Sequence, residues 1–215
     1  MQPGSRVHRG EHAAEAIEAL IALFTEPTAS YQGRWVAFEN VASYPKPVQH
    51  PVPILSGGNA PGSRLRAARY GQGWLPACLT PGEVAEGMRD IRDQAASAGR
   101  ELPADFEVAL QVGVSVAPTR EQAWERFRTS QLHNHLTSLT QSTLKDQGVA
   151  DLADRNLIGT PDDVLEQIEA YSEAGVNTMA ALLFAADTVE ETVESMEQFS
   201  ETVISKASRG APSCA

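Results

Sequence analysis

Ser56-Gly57-Gly58-Asn59 closes the short apolar run Pro53-Ile54-Leu55 and ends two residues before Pro61. A strand that ends in glycines and turns into a helix can present bare backbone N–H groups to an anion. No side chain blocks the approach, and the helix N-terminus carries partial positive charge. Pro61 suits the first turn of such a helix. The chemistry on offer is the cradling of a phosphate, free or as part of a cofactor. The competing reading is a tight turn that simply needs glycine. GGNAPG is not the dinucleotide-binding fingerprint, because its third glycine is misplaced.

Other residues offer less. Arg64, Arg66 and Arg69 follow the glycines in an otherwise acidic chain. They could attract phosphate, but three arginines on one helix read first as a solvated face. Lys46, between Pro45 and Pro47, could face a phosphate or simply be exposed. Cys78 has neither a visible base nor a visible cause for a lowered pKa, so no nucleophile is assigned. His133 and His135 form a His-x-His pair within QLHNHLTSL. That spacing aims two ligands the same way only on a strand, and this stretch reads as helix or loop. A zinc site would also need further ligands, so no metal site is expected. His12 and His50 have no partner motif. No Ser-His-Asp order, phosphate-binding lysine loop or carboxylate pair stands out, so no catalytic acid or base is named.

The elements that must position these residues alternate. Apolar residues from Ala13 to Phe24 recur at threes and fours, predicting a helix from Glu11 to Thr25. Tyr31 to Phe38 reads as a short hairpin or an extended arm, and four prolines then stiffen a linker to Pro53. Four strands follow: Pro53–Ser56, Gly73–Ala77, Phe106–Ala117 and Val176–Phe184. Helices are predicted from Pro61 to Tyr70, from Thr80 to Gly99, from Pro118 to about Lys145, from Thr160 to Gly175 and from Thr188 to Lys206. Thr80 with Glu83 makes a capping box, and Thr160 with Pro161 and Asp163 makes a second capped start. A leading helix and four strand–helix units build a parallel sheet with helices outside, either an open doubly wound sheet or part of a barrel. The termini, 1–10 and 207–215, read as flexible.

The chain has 215 residues, 42% hydrophobic and 21% charged, which suits one domain with an ample core. A net charge of −11 argues against nucleic acid and against anionic lipid. No apolar run reaches the roughly 18 residues of a membrane span, and the start has no apolar leader segment. Cys78 and Cys214 lie far apart, which favours free thiols and a cytoplasmic setting.

Several stretches, in order, resemble the luciferase-like monooxygenase family, in its branch dependent on FMN or the deazaflavin coenzyme F420. EAIEALIALFTEP is similar to the helix before that family's mid-barrel linker. YPKPVQHPVPILSGG is similar to the linker and fifth strand, and RAARYGQGWLP to the next helix and sixth strand. IGTPDDVLEQIEAYSEAGVNTMAALLF is similar to the last helix–strand unit. The resemblance covers nearly the whole chain. It implies a (β/α)8 barrel, a fold of about 250 residues, of which this chain carries the C-terminal half. It implies cofactor contacts, phosphate included, at Ser56, Gly57, Gly58 and Asn59. Ala60 stands where the family often has a hydroxyl, and Gln72 where it usually has Asp. Trp74 is set beside the cofactor residues as a candidate flavin wall, with a place in the core as the competing reading.

The expected function is flavin- or F420-dependent oxidation or hydride transfer on a small organic substrate. Two open sheet edges would invite a second copy, so a homo-oligomer is expected. Two rival readings stand beside it. One is a non-catalytic half-barrel that binds no cofactor. The other is a phosphate-binding α/β protein that shares only the glycine turn.

Overall fold

Amphipathic patterning builds α1 (Arg9–Thr25), and its most informative residue breaks the pattern. Glu15 lies on the buried side, and its carboxylate accepts the backbone N–H groups of Arg34, Trp35 and Val36. Those residues form the turn between β1 (Ala29–Gln32) and β2 (Ala37–Val41), which pair antiparallel. The ambiguous stretch around Gly33 is therefore a hairpin, pinned to α1 by one carboxylate. Lys46 does not reach toward a ligand. Its ammonium donates to the carbonyls of Leu23 and Glu26 and so closes the C-terminal end of α1.

The computed structural model describes residues 9–140, 144 and 151–210. After the proline linker come β3 (Leu55–Gly57), α2 (Pro61–Tyr70), β4 (Gly73–Leu75), α3 (Pro81–Ser97) and β5 (Glu107–Val116). These three strands run parallel in the order β3-β4-β5. Two helices follow, α4 (Arg120–Thr129) and α5 (Gln131–Leu139), then a 3-10 turn at Leu152–Arg155. The chain goes on through β6 (Leu157–Gly159), α6 (Pro161–Glu173), β7 (Thr178–Phe184) and α7 (Val189–Phe199). A π turn (Ser200–Ile204) and α8 (Ser205–Gly210) end the described chain. Residues 9–10 lie in α1 and residues 207–210 in α8. The remaining terminal residues lie outside the described residues.

Two expectations are corrected here. The sheet has five parallel strands, not four. β6 is only three residues long, too short to show an alternating pattern. Its place follows from the hydrogen bonds of β5. Gln111 donates to Pro76 and accepts from Cys78, and on the same edge Ala117 donates to Gly159. β6 therefore takes over the edge that β4 leaves at Cys78, while β7 holds the opposite edge from Ala109 to Val114. The second correction concerns the long helical region expected to run to about Lys145. It is broken at Ser130, whose hydroxyl donates to the Phe127 carbonyl and accepts the N–H of His133. One side chain thus ends α4 and caps α5. Of the stretch beyond Thr140, only Leu144 is among the described residues.

One face of the sheet carries the core. Val108, Leu110, Val112, Val114 and Val116 alternate toward the helices and pack with Trp74, Val84, Ile91 and Tyr171. The other face presents Leu55, Gly57, Leu75, Gln111 and Leu183, all half-buried or exposed. Parallel sheets are normally covered on both faces. This one is covered fully on one face and only in part on the other, where Gly113 and Ser115 are buried against Leu132, Asn156 and α4.

Candidate functional site

The glycine turn is held from four sides. Below it, Ser56 is buried, and its hydroxyl donates to the Ser63 carbonyl at 2.9 Å, tying strand to helix. Beside it, the Asn59 side chain bonds both ways with Ala77: its amide donates to the carbonyl at 2.8 Å and its oxygen accepts the N–H at 3.0 Å. The Gly58 N–H donates to Leu75. The Trp74 indole N–H donates to the Gly58 carbonyl at 2.9 Å. Ser56, Gly58 and Asn59, chosen from the sequence, lie with Gly57 in one turn, and Trp74, also chosen, bonds to it from β4. Their side chains, however, are committed to the protein. Trp74 is completely enclosed, so it braces the turn from within the core.

What faces outward is backbone. Gly57 is exposed, and Gly58 has φ +105°, a conformation L side chains rarely adopt. A Cβ at Gly58 would sit 3.0 Å from the Ser63 hydroxyl. The N–H groups of Asn59, Ala60 and Gly62 make no hydrogen bond among the described residues. Ala60, at the N-cap of α2, offers no side-chain bond. Every other helix from α3 to α7 is capped by a threonine or serine hydroxyl. The start of α2 therefore leaves the Gly62 N–H, with those of Asn59 and Ala60 before it, unbonded, and unbonded N–H groups at a helix start suit an anion.

Two arginines sharpen this, contrary to the reading of a solvated face. Arg64 is half-buried, paired with Asp90, and donates to the Asn59 carbonyl at 2.8 Å. Arg66 is half-buried and donates to the Ser63 hydroxyl at 3.0 Å, with its guanidinium lying across Gly62. It has no carboxylate partner among the described residues, so its charge is available at the bare turn. Only Arg69 lies on an exposed face. Ser63 and Arg66 were not singled out together from the sequence. Their one signal was spacing, i and i+3 on a helix that starts at a glycine turn.

The remaining candidates resolve into structure. Cys78 is buried, its thiol donates to the Asn156 side chain, and burial pushes its pKa up to about 11. Gln72 serves the backbone, accepting the N–H of Ile54. His133 stacks edge-on against Phe127, His135 is exposed, and both sit on α5. No cluster able to hold a metal exists among the described residues. The cradle itself is an open turn. Cavities of about 310 and 390 Å³ lie elsewhere, between α4 and α7 and between α4 and α6.

Comparison with known proteins agrees with this architecture. The family model for luciferase-like monooxygenases matches residues 5–178. An FMNH2-dependent dimethylsulfone monooxygenase of Pseudomonas putida is 27% identical over 200 residues, covering 79% of this chain and 52% of its own. An uncharacterised protein of Mycobacterium tuberculosis is 36% identical over 90 residues, covering 40% of this chain and 31% of its own. Among solved structures, monooxygenase RslO1 from Streptomyces bottropensis superposes with a TM-score of 0.73 at 22% identity. An F420-dependent secondary alcohol dehydrogenase superposes with a TM-score of 0.72 at 19% identity. Each superposition covers 94% of this chain and 63% of the neighbour. This chain thus spans about half or less of these curated relatives and under two thirds of these structures. No described helix is long and apolar enough to cross a membrane. With a family match over most of its length and the strand–helix order of that fold, the chain belongs to the luciferase-like monooxygenase family.

Proposed function

We propose that the turn Ser56–Asn59 and the first turn of α2 hold the phosphate of FMN or coenzyme F420 in a luciferase-like oxidoreductase acting on a small organic substrate. The observation that carries this is the bare start of α2: unbonded N–H groups, a glycine that a Cβ would strain, and Arg66 beside them. The residues present fit a phosphate. When bound, the cofactor supplies the hydride or oxygen chemistry. The chain's own part is to hold the anion with backbone N–H groups, to keep the turn rigid through Trp74 and Asn59, and to place Arg66 charge nearby. Relatives named for FMNH2 and F420 support either cofactor.

Fluorescence titration of the purified chain with FMN, F420 and riboflavin tests this. FMN or F420 should bind saturably, and riboflavin, which lacks the phosphate, should bind about tenfold more weakly or worse, the loss expected for several charge-assisted bonds. Gly58→Val should remove binding. Folded protein that binds none of them overturns the proposal.

The part of the sheet face left open around Leu55, Leu75 and Gln111 favours assembly. Among the described residues, β3 and β7 each have one unpaired edge. α7 exposes Val189, Val193 and Met196 along one side. A second copy would cover such surfaces. Glutamates 190, 194 and 197 flank the stripe, so self-association should strengthen with salt, which screens their repulsion. Sedimentation should show a dimer or larger species that Val193→Lys weakens. A monomer at every salt concentration overturns this reading.

A further inference from the structure

The cavity of about 390 Å³ between α4 and α6 shares no residue with the glycine turn. Trp124 walls it, half-buried, with no hydrogen bond from its indole N–H among the described residues. Ala153, Ile158 and Ala170 make its apolar floor. Three carboxylates and one guanidinium line its rim: Asp154, Asp163, Glu166 and Arg120. Arg120 and Asp163 cancel, because Arg120 grips Asp163 with two nitrogens. The Asp163 carboxylate also closes the α6 capping box, accepting the Thr160 N–H and hydroxyl. The guanidinium and these bonds hold it well below the usual carboxylate range, so it stays charged and engaged. Gln167 is likewise spent on both backbone groups of Ile158.

That leaves Asp154 and Glu166. Both are exposed, neither carboxylate has a hydrogen bond or close ion pair among the described residues, although Glu166 feels the Arg120 charge, and both border the same cavity as the indole. Counted together, the three carboxylates and one guanidinium of the rim carry a net charge of −2 beside Trp124. An anion would meet that net negative charge. A neutral apolar molecule would use the ring and floor and leave the carboxylates idle. A cation with an apolar shell uses all of them: the ring face attracts it through the quadrupole, and the carboxylates through charge.

We propose that this cavity is a binding site for a small organic ammonium ion, a quaternary or alkylated amine seated against Trp124 between Asp154 and Glu166. It is independent of the cofactor reading, since it shares no residue with the glycine turn. The cavity is at the low end of the range that holds small ligands, which limits the guest to a compact head group rather than a long chain.

Choline chloride is the probe, with 3,3-dimethylbutanol as its uncharged isostere and sodium chloride as the ionic control. Isothermal titration of the full chain, followed in parallel by indole fluorescence, should show saturable choline binding. Dimethylbutanol should bind about tenfold more weakly or worse, consistent with loss of the cation–π and charge contributions. Trp124→Phe should keep part of the affinity and lose the fluorescence change, and Trp124→Ala should lose about tenfold or more. Asp154→Asn with Glu166→Gln keeps shape and removes charge. It should weaken choline and leave dimethylbutanol unchanged, and circular dichroism confirms that each variant is folded. Equal binding of choline and dimethylbutanol, binding unaffected by the charge-removing pair, or no saturation by choline overturns the proposal.

Discussion

Glu83→Ala should lower stability by about 3 kcal/mol, the low end for breaking a buried ion pair, and shift the thermal midpoint down by about 6–12 °C for a chain of this size. Arg155 is only 2% exposed at its side chain, and Glu83 is its carboxylate partner, gripped by both terminal nitrogens. Glu83 does a second job. It accepts the Thr80 N–H at 2.8 Å and so closes the capping box of α3. Its removal takes a carboxylate from a buried guanidinium that also donates to the Cys78 carbonyl, and it opens a helix start. Burial acts to raise the Glu83 pKa, but Arg155 and the Thr80 bonds outweigh it and the net shift is downward. A lowered carboxyl pKa contributes stability that is complete above the unfolded value, about 4.3, and is lost as pH falls through the folded value. The deficit of Glu83→Ala against the parent should therefore be constant from pH 6 to 8 and shrink in the acid range. Urea unfolding at a series of pH values checks this. A deficit under about 1 kcal/mol at pH 7 would mean that the pair is worth no more than a surface one and that the other contacts of Arg155 suffice.

The sequence carried one half of that arrangement and hid the other. Thr80-Pro81-Gly82-Glu83 is a local signal, and the capping box it predicts is present. Arg155 lies 72 residues away, and no spacing rule links it to Glu83. The same division runs through the molecule. Helix starts at Thr80, Thr160 and Thr188 were legible because caps act within four residues. The parallel order was legible because strands alternate with helices. β6 was not, since three residues carry no period, and its partner edge is fixed by where β4 leaves β5. The turn Ser56–Asn59 was legible as a glycine turn between a strand and a helix. What its side chains do was not: the Asn59 amide is spent on Ala77 and the Ser56 hydroxyl on Ser63, both tertiary contacts. Arg66 read as a surface charge because a helix of three arginines gives no hint which one folds back.

Trp74 is where core and cradle meet, and two substitutions separate its roles. Trp74→Ala removes one of the largest fully buried side chains and should cost about 3–5 kcal/mol, as large aromatic truncations in cores do. The ring is packed without slack: a Cβ on Gly87 of α3 would lie 2.4 Å from its Cη2 atom. Collapse around the vacated space is limited because α3 is already held at its N-terminus by the Glu83–Arg155 pair. Trp74→Phe keeps an aromatic body and loses the N–H that donates to the Gly58 carbonyl. Its stability loss should be smaller, about 1–2 kcal/mol, from one buried hydrogen bond and a partial void. Its effect on the cradle should be disproportionate. The Gly58 carbonyl, freed on its inner side, no longer fixes the plane of the peptide that carries the Asn59 N–H. The N–H groups of Asn59 and Ala60 then converge less well on an anion. Under conditions where the variant is fully folded, FMN or F420 affinity should fall about tenfold, comparable to the loss of one well-aligned charge-assisted bond. Riboflavin affinity should barely change, because riboflavin has no phosphate to feel the turn. Equal losses for FMN and riboflavin would show that Trp74 supports the ring pocket instead. No loss for either would show that Asn59 and Leu75 alone hold the turn in place.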